Sequence, residues 1–183
     1  MKRFLCIAAV FVFTVLSQVT FAQEQPPSAK PGPEHDILKE MVGTWDAVML
    51  MPGTPKDAPA SKAKSVYKME CGGLWLTSTF VGEFAGAKFE GRSIDGYDQF
   101  KKKYTGVWVD SMSSTPMFFE GTRDEKTKVL TMTTEHPGPD GKLAKWKTQS
   151  SSKDKDHHTF KMFMIGEGGK DEEMFTIEYT RKK

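Results

Sequence analysis

The sequence predicts an all-β protein: a single antiparallel meander β-barrel of about ten strands, preceded by one short N-terminal helix. Three observations carry this. From Trp45 onward, apolar and polar residues alternate in short period-2 segments. The connectors are short and rich in Gly, Asp or Lys, which suits hairpins between chain neighbours rather than helical crossovers. Ten strands in meander order would leave two long edges if the sheet stayed flat, and closure removes them. A β-sandwich is the competing architecture for the same strands.

The chain opens on a segment with its own logic. Residues 1–22 read as a signal peptide: MKR is a positive start, Phe4 to Val19 is nearly all apolar, and Thr20-Phe21-Ala22 ends in a small residue suited to cleavage before Gln23. The apolar run is on the short side for a membrane span. The expected destination is the periplasm or the exterior, with no stable membrane insertion after cleavage. Residues 23–32 form a Pro-rich tether, and 33–183 the barrel domain. Past residue 22 the chain keeps 24 Lys and Arg (26 less Lys2 and Arg3) against 24 Asp and Glu. That balance removes the main argument for nucleic acid or an anionic membrane as partner. Cys71 is the lone cysteine beyond Cys6, so no intrachain disulfide is expected, and a small buried hydrophobe is its expected role.

PEHDILKEMVG reads as the helix. Pro33 fits the first turn, acids crowd the start, Ile37, Leu38, Met41 and Val42 form an apolar stripe, and Gly43 suits the stop. Strands are expected near 45–51, 63–71, 74–84, 87–97, 103–110, 115–123, 128–135, 143–150, 158–166 and 172–181. In the first, Trp45, Ala47, Met49 and Met51 share a face; in the last, Phe175, Ile177, Tyr179 and Arg181 do.

A short helix, then Gly43-Thr44-Trp45, then a barrel ending on Arg181 resembles the calycin, or lipocalin-like, superfamily. The resemblance implies that Trp45 plugs the closed end and that Arg181 packs over its ring, a favourable cation–π arrangement. The stretches PGPEHDILKEMVGTWD, CGGLWL, FEGRSIDGYDQFKKKYTGVWVDSMSS, FEGTRDEKTKVLTMT and IEYTRKK also resemble a family of bacterial secreted proteins known as domain-of-unknown-function family 1579. That likeness implies one exported domain and supplies no catalytic residues.

Site candidates follow from phase. Tyr104, Trp108 and Asp110 share one face of the fifth strand. If Trp108 points inward, Asp110 follows, and a buried carboxylate needs partners. Asp110 either caps the SMSS turn with its carboxylate or presents a polar handle to a ligand. The candidate ligand-binding set is Tyr97, Trp108, Asp110, Met117, Phe119 and Trp146. No catalytic residue is assigned, and no Gly-x-Ser-x-Gly, HExxH, P-loop or Rossmann pattern is present. No cofactor or metal is expected. The remaining alternatives are haem on His158, the one inward-phase histidine on a barrel strand, or Cu(I) on Met pairs such as Met49/Met51 and Met162/Met164.

The leading expectation is therefore an exported binder of a small apolar or amphipathic molecule. The others are an exported enzyme using Asp110, and an envelope interaction module whose barrel is filled by its own side chains. A pocket of several hundred Å³ would mark the binder.

Overall fold

The computed structural model describes residues 29–53, 61–84 and 86–183. The expected signal peptide, most of the tether and most of the 51–61 connector lie outside these residues. One helix, α1 (Glu34–Glu40), precedes ten strands: β1 (Gly43–Leu50), β2 (Ser61–Glu70), β3 (Trp75–Phe84), β4 (Ala87–Asp98), β5 (Lys103–Asp110), β6 (Ser113–Arg123), β7 (Leu130–Pro137), β8 (Leu143–Asp154), β9 (His157–Ile165) and β10 (Asp171–Arg181). Each strand pairs antiparallel with its chain neighbours, and β1 pairs with β10, so the sheet closes and the sandwich alternative falls. Every expected strand is present. β8 runs beyond its expected end because Ser150–Asp154 still pair with His157–Phe160, through a bulge between Ser152 and Asp154.

The register sends alternate residues inward. Around one belt, Trp45 faces Ser65, Ser65 faces Phe80 and Phe80 faces Gly91; on the other flank Trp45 faces Arg181. On the next rung three small residues separate two rings, Tyr179–Ala47–Ala63–Gly82–Phe89, leaving room for aromatic side chains inside a narrow barrel.

Helix α1 closes one end. Pro33 occupies its N-cap position, and Leu38 is buried with Leu76, Tyr104 and Met132. Tyr104 donates its hydroxyl to Glu34 O (3.2 Å), and Trp45 donates its indole N–H to Met41 O (2.8 Å). The chain ahead of the helix is tied down as well: Gln99 donates to Lys30 O (2.9 Å), and Gly32 N–H to His35 Nδ1 (3.0 Å). The opposite end carries the connectors after β5, β7 and β9.

Two expectations are corrected. Cys71 is exposed rather than buried: it starts a one-turn 3-10 segment in the β2–β3 connector with φ +50°, which turns its side chain to solvent. Met51 also lies past the end of β1, exposed, so it does not join Met49 inside.

Candidate functional site

The interior holds an aromatic cluster toward the open end, an apolar cluster of Leu38, Leu76, Tyr104 and Met132 under the helix, and a polar row between them. The polar row grows from β3 and β4, where Ser78, Ser93 and Asp95 fall in the inward phase. Ser78 and Ser93 hydroxyls lie 2.7 Å apart, and Ser93 Oγ donates to Asp95 Oδ2 at 2.6 Å. Because Ser93 spends its one proton on Asp95, its oxygen accepts from Ser78. Asp95 is accommodated by Gly106 opposite, where a Cβ would stand 2.3 Å from Oδ1. Burial raises the Asp95 carboxyl from 3.8 to about 6, against the lowering effect of the Ser93 bond.

Next to this chain, Tyr67 stands opposite Ser78 in the β2–β3 ladder, and its phenol lies near that of Tyr179 from the far side of β1. Burial pushes both phenols above their ordinary range. Tyr179 stacks on His158 with centroids 4.0 Å apart and planes 10° apart, and His158 meets Trp45 edge-on at 4.6 Å. Burial, and secondarily the Arg181 charge, depresses His158 to about 3, so its imidazole is neutral at physiological pH. His158 Nε2 and Ser65 Oγ are buried and have no hydrogen-bond partner among the described residues. His35 Nε2, under the helix beside Tyr97, is in the same condition.

The aromatic cluster is built by Phe80, Phe89 and Trp108, with Phe89 and Trp108 stacked at 6.5 Å. Beside Met49, Phe80 and Phe89 a void of about 20 Å³ remains at the open end. A larger surface depression of about 390 Å³ lies among Gly166, Glu167 and Lys170–Glu172 on the β9–β10 connector, away from the aromatic wall.

The sequence-derived residues are distributed across this interior. Trp108 and Asp110 are joined: the indole N–H donates to Oδ2 at 2.8 Å, while Oδ1 accepts Met112 N–H (2.8 Å) and Ser113 N–H (3.1 Å). Asp110 is thus inward in phase and also the cap of the β5–β6 turn, with three donors from its own chain. Met117 faces Trp108 across the β5–β6 rung, and Phe119 faces Gly106. Trp146 is buried on the far wall opposite Thr134, its indole N–H given to His136 O at 3.0 Å. Tyr97 is separate, packed edge-on against Tyr104 at the helix end. Arg181 lies over Trp45 at 4.0 Å. Glu120 sits on the outer wall with Lys101 and Lys103, so it forms no acid–base pair with Asp110. Among the described residues no three His, Cys, Asp or Glu side chains gather as a metal site.

Sequence reasoning missed Ser65, Tyr67, Ser78, Ser93, Asp95 and Tyr179. A signal existed in β4: Phe89, Gly91, Ser93, Asp95 and Tyr97 alternate in one phase, so an acid on the face of Phe89 and Tyr97 had to be internal.

These features define a closed ten-stranded antiparallel barrel of the calycin type, apolar under its helix, polar across its middle and aromatic toward its mouth. Residues 30–181 match the family described as "Protein of unknown function (DUF1579)", and the chain belongs to that family. No curated protein matches it in sequence. Among solved structures it is similar to the S-type phycobiliprotein lyase CPES from Guillardia theta, at 8% identity and a TM-score of 0.53, covering 82% of this chain and 93% of that one. At that identity the likeness concerns the fold alone.

Proposed function

We propose that the protein is exported, cleaved near Ala22–Gln23, and binds a small amphipathic molecule inside its barrel. The observation that carries the binding reading is the pair of buried polar atoms, Ser65 Oγ and His158 Nε2, without partners among the described residues and beside an aromatic cluster. A buried unpaired polar group costs about 1–3 kcal/mol, which a polar ligand group would recover. Trp108, Met117, Phe119 and Trp146 supply the apolar wall, with Asp110 at its rim and Tyr97 at its floor.

The void of about 20 Å³ supports a second reading, a barrel filled by its own side chains and used as an interaction module. Under the binding reading, uptake displaces side chains, and inward Met49, Met117, Met132, Met162 and Met164 are the adaptable ones. Native mass spectrometry of the full chain recovered from its own cells tests this. A co-purifying small molecule, with a chain mass starting at Gln23, is the expected result. Repeated preparations without one, together with a failed panel of lipophiles, would leave the filled barrel as the function.

A further inference from the structure

The barrel wall is hydrogen-bonded along every seam, and the β6–β7 seam has the shortest ladder. β6 and β7 pair only over Glu120–Arg123 and Leu130–Thr133; above these rungs, Ser113–Phe119 and Thr134–Pro137 have no ladder partners on each other. Two causes are visible. Pro116 and Pro137 lack the N–H a ladder needs, and β6 shifts register against β5 between Ser113 and Met117. Below the break the strands approach so closely that a Cβ on Gly121 would stand 1.9 Å from Thr131 O, so β6 crosses β7 tightly there and diverges above.

The divergence is stabilised by side chains rather than left open-ended. Thr115 O receives His136 Nε2 (3.1 Å) and Ser113 Oγ (3.2 Å). Glu135 O receives Thr134 Oγ1 (3.4 Å), and His136 O receives the Trp146 indole N–H (3.0 Å). The carbonyls of Thr115, Glu135 and His136 beside the break therefore each have a side-chain donor. Continuing the register would set Phe119 against Thr134 and Met117 against His136, all inward in phase.

We infer that this seam is the binding site's doorway: an amphipathic molecule with a flat apolar body passes between β6 and β7, with His136 as the latch and Met117, Phe119 and Trp146 as the lining. This rests on the binding reading above. The slot selects for planarity because its two walls are strand edges, and for an edge carrying donor and acceptor because free backbone groups of β6 and β7 face it.

The probe is anilinonaphthalene sulfonate, whose planar apolar rings and polar end match that description. In a Cys71→Ser background, Phe118→Cys with Glu135→Cys places a thiol on each strand across the seam. Stopped-flow fluorescence compares the oxidised and reduced forms of this one protein. Oxidation is expected to slow association by about tenfold or more, with recovery on reduction. Separately, His136→Ala removes the latch and is expected to speed association several-fold. Hydrogen exchange of the unaltered chain supplies a reading that needs no variant: amides of Met117–Phe119 and Thr134–His136 should exchange faster than their neighbours and slow when the probe binds. Equal association by the oxidised and reduced forms, an unchanged rate in His136→Ala, or barrel-like protection of these amides would overturn the doorway while leaving binding intact. No probe binding by the unaltered chain at any concentration would instead remove the binding reading, and the doorway with it.

Discussion

The guanidinium of Arg181 lies 4.0 Å from the Trp45 ring while its nitrogens hold three backbone carbonyls: Nη1 on Val42 O (2.6 Å), Nη2 on Glu40 O (2.7 Å) and Nε on Lys155 O (2.9 Å). One side chain therefore covers the plug, finishes the C-terminal end of α1 and binds the β8–β9 connector. Gly43 is required by the same contact. Its φ of +132° is unavailable to most residues, and a Cβ there would stand 2.7 Å from Nη1.

Replacing Arg181 by Ala should cost about 2–4 kcal/mol, from the lost cation–π contact and stranded carbonyls. Arg181→Lys should recover less than half, since an ammonium cannot reproduce the fork. Urea denaturation measures both. Full rescue by Lys would show that charge alone matters.

Asp95 and His158 pull stability in opposite directions with pH. The Asp95 carboxyl is raised in the fold, so its contribution falls as pH rises from about 4 to about 6; His158 is depressed to about 3, so its contribution grows as pH rises from about 3 to 6.5. In the shared window the folded chain keeps a proton on Asp95 and the unfolded chain takes one on His158, and the two cancel. Asp95→Asn should then show stability rising with pH by about 1.4 kcal/mol per unit, and His158→Phe stability falling by a similar slope. Stability of the unaltered chain should be nearly flat there. Parallel pH profiles for all three proteins would refute the opposition.

Asp110→Ala removes the acceptor for one indole and two backbone N–H groups, and should cost about 2–3 kcal/mol. Trp108 emission should shift as its indole loses its partner, whereas Asp110→Asn should keep most of the turn. Thermal unfolding followed by tryptophan fluorescence reads both effects. An unperturbed Asp110→Ala protein would show that the cap is dispensable.

Cys71 should react with an aromatic disulfide reagent in the native protein, at a rate little changed by urea, because it is already exposed. Modification that required unfolding would contradict its placement.

The strands were legible because period-2 alternation and Gly- or Asp-rich turns are local properties, and each connector is too short for anything but a hairpin. The Pro33 start of α1 was legible for the same reason, whereas the helix stops at Glu40 and Gly43 opens β1 instead. Cys71 was misread because its exposure comes from a left-handed turn conformation that no residue pattern announced.

What the sequence by itself determined is the meander and the shared faces of its first and last strands, since these follow from chain-local rules. Only the tertiary structure decided the inward direction of Trp108 and which inward residues meet: Tyr67 with Tyr179, His158 between Tyr179 and Trp45, and the break between β6 and β7. Those meetings depend on how ten strands tilt and stagger on closure, and that geometry belongs to the whole sheet rather than to any one strand.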